Sequence, residues 1–268
     1  MDGDESHLQT LLAPLLADPA HSAVLLDVDG VLAPIVLQPE DAHVHEATRR
    51  PLIEVAKRYG VVACVSGRRA SDARRIVSLG SIAYLGNHGR EILRPGATGP
   101  EVDEELNRWT AQVQAFAHSH YDDSLRRMRV RFEDKEAIAA LHWRGATDED
   151  EAQAAIEVVA QAAEQAGLKT HWGRKVLEIR PPLRIDKGVG VVELLRDKDV
   201  AAAMYVGDDT TDLDAFRGLA QLRDEGKLTS ILRVGVRSGE EPSALEAEAD
   251  VMVEGTNGVR ELLRSLLP

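Results

Sequence analysis

The sequence predicts an α/β protein, a Rossmann-like parallel-sheet core carrying an inserted α+β cap module. Three observations predict it. Short apolar runs alternate with segments of helical periodicity over residues 23–85 and again over residues 187–267. That is the rhythm of strands buried on both faces and joined by crossover helices. Between these stretches the pattern changes to a helix followed by two strands, given twice over. Polar, glycine-containing clusters stand where core strands end, the edge at which open α/β sheets bind their ligands.

The elements follow in order. Leu8–Leu16 reads as an amphipathic helix. It is too short for a membrane span, and the acidic Asp2, Asp4 and Glu5 before it argue against a leader. Ala23–Leu26 is a strand. Ala47–Tyr59 is a helix with Leu52, Val55 and Ala56 on its apolar face and Gly60 stopping it. Val61–Val65 is a strand, Ser71–Val77 a short helix and Ile82–Leu85 a strand. The run Arg94–Pro100 is a turn-rich linker. A helix over 101–120, strands over 127–133 and 138–144, a helix over 148–166 and strands over 169–171 and 176–180 then form the module. Pro181 and Pro182 mark its exit. The core resumes with a helix over 187–196, a strand over 201–206, a helix over 212–220, strands over 230–234 and 250–253, and a helix over 258–267. The expected division is a core of residues 1–95 and 184–268 and a cap of residues 96–183. Two such linkers predict a cap that closes over a substrate.

Charge and composition narrow the partners. The net charge of −13 disfavours nucleic acid or an anionic membrane as the main partner, and neither is expected. A small anionic substrate remains open, because a local cation can reverse the sign inside a cleft. Cys64 is the only cysteine and lies in the apolar run Val61–Val65. It reads as a buried structural thiol in a reducing compartment, so a cytoplasmic location is expected. A monomer is the working expectation. The pairs His43/His45 and His118/His120 lack a third ligand at metal spacing and read as solvent-exposed.

Four clusters carry the chemistry: Asp27-Val28-Asp29-Gly30, Ser66-Gly67-Arg68, Asp186-Lys187-Gly188 and Gly207-Asp208-Asp209-Thr210-Thr211-Asp212. Asp27 and Asp29, two residues apart at a strand end, repel each other unless a cation or a proton lies between them. Lys187 is unusual at a helix start, where the dipole disfavours a cation.

This ordered set resembles the haloacid-dehalogenase-like phosphohydrolases. The resemblance implies that Asp27 is the nucleophile, forming an aspartyl phosphate, and that Asp29 is the general acid and then the base. It implies Mg²⁺ held by Asp27, the Asp29 carbonyl and Asp208 with waters filling the shell, and Asp209 and Asp212 orienting those waters or Lys187. Ser66 and Lys187 take the phosphoryl oxygens. Within that superfamily the chain looks like the trehalose-6-phosphate phosphatases. The pieces are Gly86-Asn87-His88-Gly89-Arg90-Glu91, Glu133-Asp134-Lys135, His142-Trp143-Arg144 and Gly173-Arg174-Lys175-Val176-Leu177-Glu178-Ile179-Arg180-Pro181. From this likeness, Glu133 and Glu178 grip sugar hydroxyls. Lys135, His142, Arg144 and Lys175 line the sugar or phosphate side, and Arg68, His88 and Glu91 contact the substrate from the core. Trp143 stands where the family usually has Tyr, and Leu213 where Glu is common. Sucrose phosphate, a glycosyl-glycerate phosphate or a hexose phosphate are the alternative substrates. A silent sugar-phosphate binder and a phosphomutase are the rival classes.

Overall fold

A computed structural model describes residues 2–36, 41–135, 137–183, 186–239 and 241–268. The chain divides into two compact units, Met1–Glu101 with Ile185–Pro268, and Val102–Arg184. The first opens with α1 (Asp2–Ala17), β1 (Ser22–Leu26), α2 (Glu46–Arg58), β2 (Val61–Val65), α3 (Ala70–Val77), β3 (Ala83–Gly86) and β4 (Glu91–Leu93). β5 (Glu101–Val102) lies where the first unit passes into the second. The second contains α4 (Glu104–His120), α5 (Asp123–Arg127), β6 (Arg131–Lys135), β7 (Ile138–His142), α6 (Glu149–Gln165), β8 (Lys169–Gly173) and β9 (Val176–Arg180). The chain then returns with α7 (Lys187–Arg196), β10 (Ala202–Gly207), α8 (Thr210–Asp224), β11 (Ser230–Arg237), α9 (Ser243–Glu248), β12 (Val251–Glu254) and α10 (Gly255–Ser265).

The large sheet has the order β12-β11-β10-β1-β2-β3-β4-β5. It is parallel from β12 to β3, and β4 returns antiparallel on β3. Strand alternation divides the core in two. Val24 and Leu26 pack with Leu12, Leu15, Leu52, Val55 and Leu262 on one face. Ala23 and Leu25 pack with Val191, Leu195, Phe216 and Leu219 on the other. Cys64 is buried in the first cluster as a free thiol, and burial raises its pKa above the ordinary range. From β1 the chain moves to β2 and β3 on one side, and later to β10, β11 and β12 on the other. The strand order therefore reverses between β1 and β10, the position where this architecture leaves a crevice.

The second unit is a four-stranded antiparallel sheet of order β6-β7-β9-β8. Leu141, Leu177 and Ile179 pack with Val113 and Ala117 of α4 and with Ile156 and Ala160 of α6.

Several boundaries differ from those expected. Asp103 starts α4, its carboxylate accepting from Glu105 N–H (2.8 Å) and Leu106 N–H (3.1 Å), so residues 101–102 are extended instead. Asp122 caps α5 in the same way, and the strand expected from residue 127 begins at Arg131. β4 and α9, of three and six residues, are too short to show a period.

Candidate active site

The site grows from strand ends. The β1–β10 ladder runs one residue past β1, with Asp27 N–H donating to the Val206 carbonyl (2.9 Å). The chain then turns tightly, with Gly30 N–H on the Ala33 carbonyl and Ala33 N–H on the Val28 carbonyl, both 2.8 Å. Gly30 has φ +79°, and a Cβ there would lie 1.9 Å from Asp208 Oδ2, so only glycine fits. Asp27 and Asp208 thus flank the crevice beside the chain reversal. Asp27, Asp29, Ile35, Asp208, Asp209 and Ser238 line one depression.

The centre is a buried charge cluster. Lys187, 2 % exposed, is the one buried basic side chain among the described residues. Its Nζ lies 2.9 Å from Asp27 Oδ2 and 2.7 Å from Asp212 Oδ1. These acids compensate for a cation at the first position of α7, where the helix dipole opposes it. Burial works against the ammonium charge, but Asp212 and Asp27 outweigh it and raise the lysine pKa. Asp212 is fully buried and fully used. Oδ1 accepts from Lys187 and from the Tyr205 hydroxyl (2.7 Å). Oδ2 accepts from Asp208 N–H (2.9 Å) and Asp209 N–H (3.0 Å). Asp27 Oδ1 accepts from Val28 N–H at 2.7 Å. Burial pushes the Asp27 carboxyl well above its usual range, opposed by Lys187 and reinforced by Asp212. Asp208 is pushed up to about 7, first by burial and then by Asp212.

Three buried acids around one buried lysine leave a deficit of positive charge. Ligating oxygens of Asp27, Asp208 and Asp212 lie within 4.8 Å of one another. Hard carboxylate donors of this kind fit Mg²⁺. Asp27 and Asp208 are the acids that would hold it. Asp212 has its oxygens committed to four donors, and Asp209 faces solvent with its side chain capping α8 at Thr210 N–H (2.6 Å). Asp212 thus serves as an acceptor tied to Lys187, and Asp209 as a helix cap.

Asp29 is held differently. Arg68 donates to both of its oxygens, Nε to Oδ2 at 2.7 Å and Nη2 to Oδ1 at 2.9 Å. Ser66, 1 % exposed, accepts from Arg68 N–H at its hydroxyl oxygen (3.1 Å). His88 N–H donates to the Ser66 carbonyl (3.1 Å), which brings His88 beside this loop. Glu91 departs from its expected role as a substrate contact. It is 6 % exposed, and its two oxygens accept from Ala70 N–H and Asn87 Nδ2, each at 2.9 Å.

In the second unit, strand register gathers four of the predicted residues on one sheet face. Glu133, Ala140 and Glu178 share a row across β6, β7 and β9, and Lys135 and His142 lie two residues along on the same face. His142 Nε2 is 2.8 Å from Glu133, and Lys135 Nζ is 3.1 Å from Glu178 and 3.7 Å from Glu133. Burial pushes the Glu178 carboxyl up, but hydrogen bonds from Arg180 and Lys135 prevail and hold it below the usual range. Lys175 and Arg144 are not gathered there. Lys175 pairs with Glu149 of α6, and Arg144 donates to the Arg174 carbonyl (3.4 Å). Trp143 is buried in the unit's core beside Trp172, and Leu213, on the inward face of α8, is buried in the core of the first unit.

Arg180, His171 and Tyr205 were not anticipated. Arg180 bonds Glu178 two residues away, and His171 on β8 sits opposite Glu178 in register. Tyr205 could have been suspected, since a hydroxyl in a wholly buried strand needs a partner. The histidine pairs hold no common ligand position. His45 caps α2 at Ala47 N–H, His120 stacks on Phe116, and His43 and His118 are exposed.

A parallel sheet with acids at the ends of β1 and β10, interrupted in sequence by a second α+β unit, defines the fold of the haloacid-dehalogenase-like hydrolases. Solved structures align over nearly the whole chain. Trehalose-6-phosphate phosphatase of Aspergillus fumigatus aligns with a TM-score of 0.69 at 21% identity, over 98% of this chain and 97% of that one. The C-terminal domain of the Candida albicans trehalose-6-phosphate phosphatase aligns with a TM-score of 0.68 at 18% identity, over 96% of each. At such identities the likeness speaks for the fold. A family model described as trehalose-phosphatase matches residues 25–251. The probable trehalose-phosphate phosphatase 4 of Oryza sativa subsp. japonica is 32% identical over 216 residues, 78% of this chain and 58% of the rice protein. The trehalose 6-phosphate phosphatase RA3 of Zea mays is 29% identical over 99% of this chain and 76% of the maize protein. The chain therefore belongs to the trehalose-phosphatase family. It spans less than three-fifths of the rice relative's length. No described helix is long and apolar enough to cross a membrane.

Proposed function

We propose that this chain is a Mg²⁺-dependent phosphatase that hydrolyses trehalose 6-phosphate to trehalose and phosphate through an aspartyl phosphate. The observation that carries the reading is the buried Asp27 carboxylate, fixed by Val28 N–H and Lys187 at the crevice of a trehalose-phosphatase chain. Bound Mg²⁺ supplies positive charge that keeps Asp27 ionised and offsets the phosphoryl oxygens. An Asp27 oxygen attacks phosphorus and forms the acyl phosphate as the bond from phosphorus to the sugar oxygen breaks. Asp29 gives its proton to that leaving oxygen. It then takes a proton from water, which attacks the phosphorus, releases phosphate and restores Asp27. Asp29 must give up Arg68 in each cycle, since Arg68 occupies both of its oxygens here. Lys187 and the Ser66 hydroxyl offset charge on the transferred group. In the second unit, Glu133, His142, Lys135 and Glu178 form the sugar-binding face, where fixed carboxylates and an imidazole read hydroxyl geometry. The unpaired, buried Cys64 fits a reducing cytoplasm.

The test is phosphate release from a panel of trehalose, sucrose, glycosyl-glycerate and hexose phosphates, with and without Mg²⁺. Trehalose 6-phosphate is expected to give the highest kcat/KM, and Asp27→Asn to lower kcat by at least about 10⁴-fold. Comparable rates on hexose phosphates reject the disaccharide assignment. An active Asp27→Asn rejects the mechanism.

A further inference from the structure

We propose that Glu91 is a positioning residue, a buried brace that holds the Asn87–Gly89 loop in a left-handed path and thereby aims His88 and Arg68 at the substrate. The proposal rests on the phosphatase reading above and takes His88 and Arg68 as substrate contacts from the family resemblance.

The loop is unusual in its backbone. Asn87, His88 and Gly89 follow one another with φ of 47°, 55° and 94°. Two of the three carry a Cβ that disfavours this region, so the path persists only where its surroundings over-determine it. Those surroundings are the functional segments themselves. Asn87 N–H donates to the Arg68 carbonyl (2.8 Å), and His88 N–H donates to the Ser66 carbonyl. The His88 imidazole lies against Gly67, where a Cβ would approach its Cε1 to 2.8 Å. Gly89 packs on Gly190 of α7, the helix that begins at Lys187. One short loop therefore touches the segments bearing Ser66, Arg68 and Lys187.

Glu91 fastens this loop to its neighbour. Arg69, at the cap position of α3, makes no side-chain cap bond. Glu91 supplies that cap from 21 residues downstream, accepting from Ala70 N–H at Oε2. Its other oxygen takes the Asn87 amide, the first residue of the left-handed run. A carboxylate buried with both oxygens engaged in this way acts on substrate through the residues it holds. Its two bonds tie the end of one loop to the start of the next helix, just past Arg68.

The test reverses the direction of the Asn87–Glu91 bond. Asn87→Asp sets two carboxylates face to face. Adding Glu91→Gln lets the new amide donate to the new carboxylate while its oxygen keeps Ala70 N–H. KM and kcat for trehalose 6-phosphate are measured with the His88 ring ¹H–¹³C resonances and the thermal midpoint. Asn87→Asp is expected to raise KM about tenfold, to change kcat less than about threefold and to shift the His88 resonances. The double variant is expected to bring KM back within about threefold of the parent and to return the resonances. The proposal is overturned if Asn87→Asp lowers the midpoint but leaves KM and His88 unmoved. It is equally overturned if the double variant regains stability without regaining KM, or if Glu91→Gln alone raises KM with His88 unmoved, the mark of a direct contact. If the parent turns over a different sugar phosphate, the functional reading fails and the same measurements on that substrate decide the brace. If no sugar phosphate is turned over, the His88 resonances of the single and double variants decide it.

Discussion

Replacing Lys187 by methionine keeps the length of the side chain and removes its charge. Lys187 contacts Asp27 at 2.9 Å and Asp212 at 2.7 Å, and all three are buried. At an effective dielectric near 20, each contact corresponds to about 6 kcal/mol of attraction. Desolvation of the three groups cancels most of this, and breaking a buried pair costs about 3–5 kcal/mol in practice. For a chain of this size that corresponds to roughly 10 °C in Tm. The sign of the pH dependence follows from the acids left behind. Without the lysine, Asp27 and Asp208 are driven still further above their unfolded pKa. The folded state then binds more protons than the unfolded one, so stability is present at low pH and lost as pH rises through the folded values. The deficit of Lys187→Met should be larger at pH 8 than at pH 5, read by urea unfolding at both. Phosphate release should fall at neutral pH, because the cation that offsets charge on Asp27 and on the transferred group is gone. A deficit below about 1 kcal/mol that is equal at the two pH values would refute the charge-cluster account.

Two further outcomes are expected. Asp208, pushed up to about 7, lends the metal-free protein stability that is lost as pH rises through that value. Mg²⁺ should therefore raise the thermal midpoint more at pH 8 than at pH 5.5, its stabilisation reaching about 2.7 kcal/mol where it stands at a hundredfold excess over Kd. Equal shifts at both pH values would count against a site at Asp27 and Asp208. Glu178→Ala should raise KM for trehalose 6-phosphate about tenfold and affect hexose 6-phosphates less, since it removes hydroxyl recognition and leaves the phosphate site intact. An equal loss on both in steady-state assays would remove Glu178 from sugar recognition.

The strand ends were legible because burial on both faces makes a parallel strand a continuous apolar run, so Asp27, Ser66 and Asp208 stood out as abrupt breaks. Lys187 was legible for a different reason, as a cation placed against a helix dipole. What remained hidden is pairing. Glu91 looks like a ligand in the sequence because its partners are a backbone N–H at residue 70 and an amide at residue 87, and a backbone donor leaves no letter to read. Lys175 and Glu178 sit three residues apart in one motif. Yet the turn at Lys175, with φ of 62°, sends the lysine to Glu149 while strand alternation keeps Glu178 on the opposite face from Leu177 and Ile179. β4 escaped notice because three residues carry too little alternation to be seen, although it is what returns Glu91 toward α3.

The same limit explains why four similar carboxylates take different jobs. Asp27, Asp208, Asp209 and Asp212 carry one chemical group, and what separates them is the number of donors each already satisfies. Asp212 meets four, two of them backbone N–H groups that only the turn after β10 could present. A carboxylate so saturated has no lone pair to offer, and its charge is balanced by Lys187. Asp209 turns outward to cap α8. Asp208 receives none of these backbone donors and lies buried beside Asp212, so the fold leaves its charge poorly compensated, and its raised pKa expresses that deficit. Asp27 shares Lys187 with Asp212 and therefore has only part of a counter-charge. The lysine thus cannot neutralise Asp27 and Asp212 together. A second positive centre between Asp27 and Asp208 is what the arrangement lacks, and a divalent cation there would complete it without disturbing any hydrogen bond of Asp212.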